Sequence, residues 1–308
     1  MGSGSAFAQV AWPKAQTIKF IVPFTPGSGT DVIARLLANR LADTLETSIF
    51  VENKPGAGGT IGAALVAKAE PNGYTFLIQS SGHVVNPALY SNLPYDTLKD
   101  FAGVTTLAEL PNVMVTSPDS GYTSVKDLIT KAQAAPGMKN YASAGNGTIS
   151  HLLGAMLNTS AGIEMQHIPY KGVAPAINDV LGGQVPLAFA SLPSALNYIK
   201  AGKLQAIAIS SAKRSSAAPE IPTIAETYPD CVGEVWVALF APIGTSADAV
   251  KKVQLAMDKI MVKPDVREKL IAQGLDLNPV PAAKLSGLLK EELAKWAKIV
   301  KASGAQLD

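Results

Sequence analysis

The chain has 308 residues, of which 47% are hydrophobic and 16% charged, so it can bury a large core and lacks the composition of a disordered protein. Its 26 Lys and Arg residues and 24 Asp and Glu residues give a net charge of +2 and are scattered, which excludes the basic patch of a nucleic-acid-binding protein. The single cysteine, Cys231, excludes an intramolecular disulfide, and no Cys/His cluster has the spacing of a zinc site.

The first residues indicate an exported protein. Ala6-Phe7-Ala8 has the small-x-small pattern of a signal-peptidase site, so Gln9 would begin the mature chain, and residues 1–5 resemble a replaced leader. The alternative is an ordinary flexible terminus, because three-residue matches are common. No run of about 18 apolar residues is free of Gly, Pro or charge, so the sequence predicts no transmembrane helix.

Short β-type runs alternate with amphipathic helical patterns, which is typical of an α/β protein. Residues 17–22 predict a strand, and apolar residues at helical spacing from Val32 to Leu45 predict the helix after it. Five more strands and the next helices follow the same alternation. The predicted strands are 48–51, 74–79, 165–168, 185–190 and 204–210, and the predicted later helices begin at Ile149, Ala247 and Ala282.

Two extended segments, 104–115 and 234–241, interrupt this alternation without a helix between their strands. About half of the predicted elements lie between them, so we interpret the segments as two crossings between lobes. This predicts one lobe made of residues 9–107 and 239–308 and a second made of residues 108–238, with a cleft between them.

Three glycine-rich loops, 23–31, 56–60 and 143–148, each follow a predicted strand and precede a predicted helix. The first N–H groups of a helix lack internal partners and carry partial positive charge, so such loops are natural receptors for carboxylate or phosphate. The alternative is that Ser28, Thr30 and Thr148 only cap helices, which is their commonest role. Similar loops in different halves of the chain favour a ligand.

The motifs of nucleotide-binding proteins and hydrolases are missing. There is no P-loop string, and Ile61 stands where a dinucleotide fingerprint needs glycine. Neither Ser28 nor Ser143 has the glycines two residues before and two residues after it that the Gly-x-Ser-x-Gly motif of hydrolases requires. His151 and His167 are interpreted as packing or surface residues, whereas His83 follows a strand at the edge where α/β sheets bind ligands. Without a Ser/His/acid set or a carboxylate pair, the sequence predicts no enzyme, no cofactor and no metal.

Six motifs, each weak alone, follow one another along nearly the whole mature chain. They are IVPFTPGSGTD (21–31), VENKPGAGG (51–59), NGYT (72–75), HIPYKG (167–172), LPSAL (192–196) and FAPIGT (240–245). In this order they resemble the extracytoplasmic binding proteins of tripartite tricarboxylate transporters, often called Bug-type receptors.

The resemblance implies an α/β fold of the periplasmic-binding-protein type II-like class, with two lobes joined by a two-crossover hinge. It implies a monomeric periplasmic protein that holds a small carboxylate through loop N–H groups and hydroxyls and delivers it to the membrane permease subunits of the transporter. We interpret Asp31 as a helix-start carboxylate turned away from the cleft. The expected ligand-binding residues are Phe24, Thr25, Ser28, Gly29, Thr30, Ser80, Ser81, His83, Asn146, Gly147, Thr148, Ser150, Lys171 and Ala190.

One departure from the family pattern bears on the ligand. Relatives often carry an aspartate after the phenylalanine that precedes Leu-Pro-Ser-Ala-Leu, but here Phe189 is followed by Ala190 and Ser191. In amino-acid binders such an acid can pair with the ligand ammonium, so its absence predicts a ligand without an amine, either a di- or tricarboxylate or an aromatic carboxylate.

Two alternatives to a transport function are a sensory module for a carboxylate signal and an enzyme acting on a small carboxylate.

Overall fold

The computed structural model describes residues 12–135, 139–233, 235–277, 280, 282–303 and 305. The signal-peptidase match at residues 6–8 and Glu234 of the second extended segment lie outside the described residues.

The first lobe is built on strand–helix units from the amino-terminal third of the chain. They are β1 (Ile18–Val22), α1 (Gly29–Leu45), β2 (Ile49–Asn53), α2 (Thr60–Ala67), β3 (Thr75–Ser80) and α3 (Gly82–Leu89), followed by β4 (Phe101–Glu109). β1 pairs in parallel with β2 and β3. The later strand β10 (Trp236–Pro242) pairs antiparallel with both β3 and β4, so the sheet order is β2-β1-β3-β10-β4.

The second lobe repeats this arrangement with residues from the middle of the chain. Its elements are β5 (Asn112–Thr116), α4 (Val125–Ala134), β6 (Lys139–Ser143), α5 (Ile149–Ala161), β7 (Met165–Pro169), α6 (Val173–Leu181), β8 (Leu187–Ser191), α7 (Leu192–Lys200) and β9 (Gln205–Ile209). The sheet order is β7-β6-β8-β5-β9, with β6, β7 and β8 parallel and β5 antiparallel to its neighbours. In both sheets the antiparallel strand beside the parallel set is the one that follows a crossing, which confirms the predicted two-lobe α/β class.

Three helices complete the described chain. They are α8 (Ala247–Met261), α9 (Pro264–Ala272) and α10 (Ala282–Ser303). α8 packs on α1 and β4, whereas α10 packs on α3 and β4 of the first lobe and also on α5 of the second.

Cys231 is fully buried, and its burial raises the pKa of the thiol to about 12.

The first crossing lies at 110–111, and the second comprises residues 210–233 and Val235. The two crossings meet where the Leu110 N–H donates to the Val235 carbonyl. The predicted lobe edges after residue 107 and before residue 239 fall inside β4 and β10, which pair with each other as far as Glu109 and from Trp236. The ends of these strands lie two residues after the first predicted edge and three residues before the second. The division into two separately moving units stays a prediction.

β10 is buried along its whole length, from Trp236 to Pro242. A strand inside a sheet that carries helices on both faces has no solvent side, so its sequence is a continuous apolar run rather than an alternation. This explains why the sequence pattern gave an extended segment here.

Candidate ligand-binding cleft

Six helices begin at two sheet edges. In each lobe the three parallel strands lead directly into α1, α2 and α3 or into α5, α6 and α7. The carboxyl ends of parallel strands share one edge of a sheet, and this edge is where open α/β sheets bind ligands. Each lobe therefore presents three helix N-termini, with their partial positive charge, at a single edge.

In the first lobe, two of these helix starts contact the crossings. A Cβ atom on Gly29, the first residue of α1, would lie 2.6 Å from Cδ1 of Leu110. The N–H of Ser81, which caps α3, donates to the carbonyl of Trp236 at 2.9 Å. The starts of α1 and α3 therefore lie beside the hinge.

In the second lobe, the starts of α5 and α7 are placed in the same way. The N–H of Leu192, the first residue of α7, donates to the carbonyl of Pro111 at 2.8 Å. A Cβ atom on Gly233, at the end of the second crossing, would lie 3.7 Å from Cγ2 of Ile149, the first residue of α5. Helix starts of both lobes thus border the same hinge, and the space between them is the candidate cleft.

The first-lobe loop before α1 is braced by Asp31. Ser28 is the N-cap of α1, and its Oγ accepts the Asp31 N–H at 3.3 Å. The Asp31 carboxylate accepts hydrogen bonds from the Gly27 N–H at 2.9 Å, from Asn53 at 2.8 Å and from Arg35 at 3.0 Å. Both carboxylate oxygens are therefore directed at protein donors.

The charge of Asp31 is stabilised inside the loop. Burial alone would raise the pKa of the Asp31 carboxyl, but hydrogen bonds from Arg35, Gly27 and Asn53 outweigh it and lower the pKa. The carboxylate stays ionised, with its charge balanced by these donors. Thr25 and Gly27 are exposed at the loop tip.

Not every predicted contact in this loop is accessible. Phe24 and Ser28 are half-buried, while Gly29 is buried and Thr30 is only 3% exposed. The exposed backbone of residues 25–27 is therefore the part of the loop that can meet a solute.

The second-lobe loop before α5 is built from Gly145, Gly147 and hydroxyl side chains. Thr148 is the N-cap of α5, and its hydroxyl donates to the Gly145 carbonyl at 2.7 Å. Ser150 Oγ accepts the Ala144 N–H at 3.1 Å and lies 2.9 Å from Thr148 Oγ1. Gly145 and Gly147 have φ of +131° and +72°, which a residue with a side chain rarely adopts. The loop is held in one shape, with Asn146 exposed at its tip.

Two histidines, interpreted from the sequence as packing or surface residues, are half-buried and lie within hydrogen-bond distance of this loop. The Gly147 N–H donates to Nδ1 of His151 at 3.1 Å. Nε2 of His167 lies 2.6 Å from Ser143 Oγ, which accepts the Gly145 N–H at 3.0 Å. The sequence signal was the four-residue spacing from Gly147 to His151, at which a side chain in the first helical turn can reach back to the loop amides.

The two imidazole rings are stacked, with centroids 3.9 Å apart and an interplanar angle of 12°. Burial lowers the pKa of His151, while burial and then the nearby charge of His151 lower the pKa of His167 to about 4. Both rings are therefore neutral at pH 7 in the absence of ligand.

The predicted role of His83 is not supported by its position. His83 and Ser81 are both fully buried, and the His83 ring packs against Phe101 and Phe240 with centroid distances of 4.7 and 4.8 Å. Tyr95 stacks on the same ring at 5.9 Å. These aromatic residues come from separate elements and enclose His83, so it presents no surface to the cleft, and burial lowers its pKa to about 3.

The remaining predicted residues differ in access. Ser80 is half-buried and Lys171 is exposed, but Ala190 is 1% exposed because it lies in β8 opposite Val113 of β5. The sheet edge after β8 is instead occupied by Ser191, whose Oγ lies 2.7 Å from Ser194 Oγ. Ala190 is therefore enclosed in the sheet and has no exposed surface for direct contact with a solute.

The described part of the chain offers no group of three or more His, Cys, Asp or Glu side chains placed to hold a metal ion. Among the same residues, none of the helices combines the length and the apolar character needed to cross a bilayer.

A two-lobed α/β fold, with helix N-termini of both lobes bordering one hinge, defines a solute-binding protein of the periplasmic type. The chain belongs to the tripartite tricarboxylate transporter family of receptors, whose sequence profile matches residues 33–305. Membership confirms the resemblance seen in the six motifs and places the protein among transporter receptors rather than enzymes.

Three relatives are similar over most of their length. BugT of Bordetella pertussis is 37% identical over 298 residues, which are 95% of this chain and 91% of BugT. The solved structure of Rpa4515 of R. palustris with adipate is 32% identical, has a TM-score of 0.90 and covers 96% of this chain and 100% of that one. MatC of Rhodopseudomonas palustris with bound malate is 30% identical, with a TM-score of 0.83 and coverage of 92% and 98%.

Proposed function

We propose that this protein is a periplasmic receptor that captures a small carboxylate without an amine and delivers it to the permease subunits of a tripartite tricarboxylate transporter. The single observation that carries this proposal is the convergence of helix starts from both lobes on one hinge. Main-chain N–H groups at these starts are donors without helical acceptors, and the helix dipoles favour negative charge beside them.

The ligand class is supported by the charge of the cleft. Asp31 is neutralised within its own loop, and Ala190 stands where amino-acid binders carry an aspartate. A ligand ammonium would therefore lack a carboxylate partner at this place. Adipate and malate, found with the related Rpa4515 and MatC, are both dicarboxylates without an amine.

Capture requires both lobes. One ligand carboxylate would be held by the exposed backbone of residues 25–27 of the first lobe and the other by residues 145–150 and Ser191 of the second. Contacts to both lobes exist together only when the lobes close, so the ligand stabilises the closed state by its differential affinity for it. We propose that the protein acts in this way as a monomer.

A thermal-shift screen tests the proposed function. Adipate, malate, citrate and benzoate are compared with aspartate and glutamate at pH 7.5, because a ligand that binds only the folded state raises the melting temperature. At least one acid without an amine should bind with a Kd near 1 μM, equivalent to about −8 kcal/mol. A shift with aspartate or glutamate alone, or with none of the six, contradicts the proposal.

A pair of variants on one helix tests the site. Thr148→Val removes the hydroxyl that holds Gly145 and approaches Ser150, whereas Thr159→Val makes the same change at an exposed position of α5. Thr148→Val should weaken adipate binding by about tenfold, the loss expected for one or two hydrogen bonds, and Thr159→Val should leave it unchanged. Equal affinities of the two variants would place the carboxylate elsewhere.

A further inference from the structure

We propose that carboxylate capture by the second-lobe loop is linked to protonation of His151, so that binding becomes tighter as the pH falls. The inference rests on the proposed function, because it treats the loop at residues 145–150 as an anion receptor. It assigns to the stacked pair His151 and His167 the role of positioning residues that set the pH dependence of the receptor.

The observation behind the proposal is that His151 occupies a loop amide. The Gly147 N–H donates to Nδ1 of His151 at 3.1 Å, so this nitrogen is unprotonated in the ligand-free protein. An imidazole nitrogen that carries a proton is a donor and cannot accept. The same N–H therefore serves either the neutral ring or an anion, and a proton on Nδ1 releases it for the anion.

The ring of His167 is connected through Ser143 to Gly145, the other glycine of the second-lobe loop. His167 Nε2 lies 2.6 Å from Ser143 Oγ, and this oxygen accepts the Gly145 N–H. Because the ring centroids are 3.9 Å apart, a charge on one ring opposes a charge on the other. The pair is thus expected to take up one proton, not two.

The surroundings of the pair contain few other charges. From β6, Tyr141 donates its hydroxyl to the His151 carbonyl at 3.0 Å, and burial raises the pKa of this phenol, which stays neutral. From β8, Phe189 contacts Tyr141. α10 meets α5 further along, where Lys298 and Asp230 line a groove with residues 155–160.

Among the described residues, no acidic side chain hydrogen-bonds to either imidazole. A bound carboxylate would therefore be the negative partner that the rings otherwise lack. It would take the Gly147 N–H, leave Nδ1 of His151 open to a proton, and raise the pKa of His151. A group whose pKa rises on binding takes up a proton with the ligand, so the affinity increases as the pH falls, by at most about tenfold per pH unit for one proton.

The test measures the Kd of adipate by calorimetry between pH 6 and 8, where its carboxyl groups are largely ionised. The wild-type protein should bind adipate at least about threefold more tightly at pH 6 than at pH 8, and buffers of different ionisation enthalpy should reveal proton uptake. His151→Asn, which keeps an acceptor but does not titrate, should lose this pH slope. His83→Leu, in the other lobe, should retain it.

The outcomes separate the linkage from the proposed function. A wild-type Kd that is constant from pH 6 to 8, or a slope that persists in His151→Asn, overturns the linkage but leaves the receptor function standing. If adipate does not bind at any pH, the proposed function fails for this acid. NMR of the ligand-free protein then decides the linkage, since the Gly147 amide proton must shift as His151 titrates, and a resonance that does not follow the His151 ring overturns it.

Discussion

His83 combines complete burial with two ring nitrogens that have no hydrogen-bond partner among the described residues. An unpaired buried polar group destabilises a fold by about 1–3 kcal/mol, and a buried imidazole also resists protonation. Its pKa of about 3 lies below the ordinary value of 6.5, so the unfolded chain binds the proton first. The stability that depends on neutral His83 is complete above pH 6.5 and is lost as the pH falls toward 3.

The replacement His83→Leu should therefore reduce the acid sensitivity of the fold. We expect a free energy of unfolding equal to or above that of the wild type at pH 7.5, and a smaller loss between pH 7.5 and 5, because an apolar side chain of similar size needs no partner. Urea titration at both pH values measures this. His83→Asn, which leaves an unpaired amide, is the control and should be less stable at both, and an unchanged acid loss in His83→Leu would refute the argument.

Among single residues, the sequence predicted the glycine-rich loops and their helix caps better than the burial of individual side chains. The Gly-rich loops and the caps Ser28 and Thr148 were predictable, because local residue types determine helix starts. The burial of His83 was not, since the residues that enclose it, Tyr95, Phe101 and Phe240, are distant in sequence. Burial depends on such non-local packing.

Among the elements, α5 lies directly on the ring of Tyr141. A Cβ atom on Gly154 in this helix would be 2.2 Å from the ring, far inside contact distance, so glycine is required for the close approach. The ring hydroxyl in turn donates to the His151 carbonyl on the same helix. This contact fixes the distance of α5 from the sheet. It thereby also fixes the position of the loop that precedes α5.

Two glycine-to-alanine changes in helices should consequently have opposite effects. Gly154→Ala forces the Tyr141 ring or the helix to move and should lower the free energy of unfolding by about 1–3 kcal/mol. Gly287→Ala in α10, where a Cβ would meet nothing within 4 Å, should raise it by about 0.5–1 kcal/mol through helix propensity. Chemical denaturation of both variants measures the difference, and a Gly154→Ala protein as stable as the wild type would show that the contact relaxes freely.

Element types were predictable where a periodic pattern was long, as in α1, α5 and α10. The extended segment 104–115 was predicted as one unit, yet it forms β4 and β5, which belong to different sheets. The residues Leu110 and Pro111 between them pair with Val235 and Leu192, far along the chain. Strand partners of this kind leave no mark in local periodicity, so the sheet order could not be derived.

Over the whole molecule, the segment 274–276 adds a contact between the second crossing and the first lobe. The Asp276 carboxylate accepts the N–H of Ser216 at 2.9 Å and also its hydroxyl, while the Asp276 backbone pairs with Glu109 of β4. Nearby, a Cβ on Gly274 would lie 3.1 Å from the nitrogen of Pro193 at the start of α7. These contacts favour the arrangement of the lobes described above.

Asp276→Ala should shift the lobes away from this arrangement. Hydrogen bonds to a charged group contribute about 1.5–3 kcal/mol, so the population of the described arrangement should fall and the Kd of adipate should change by about tenfold or more. Calorimetry gives the Kd and small-angle scattering the radius of gyration with and without adipate. Asp119→Ala at an exposed turn is the control, and equal Kd values for the two variants would show that Asp276 does not influence closure.

Because α10 packs on α3 and β4 of the first lobe and on α5 of the second, we expect a change in the relative orientation of the lobes to alter the contact between α10 and α5. The groove of about 260 Å³ between these helices, lined by Met156, Ile299 and neighbouring residues, would widen or narrow with each such movement. The width of this groove should therefore change when a ligand binds in the candidate cleft and the lobes move. Two dyes attached to introduced surface cysteines on either side of this groove would therefore report ligand binding through the distance between them. Cys231 would not be labelled, because its thiol is buried and poorly ionised.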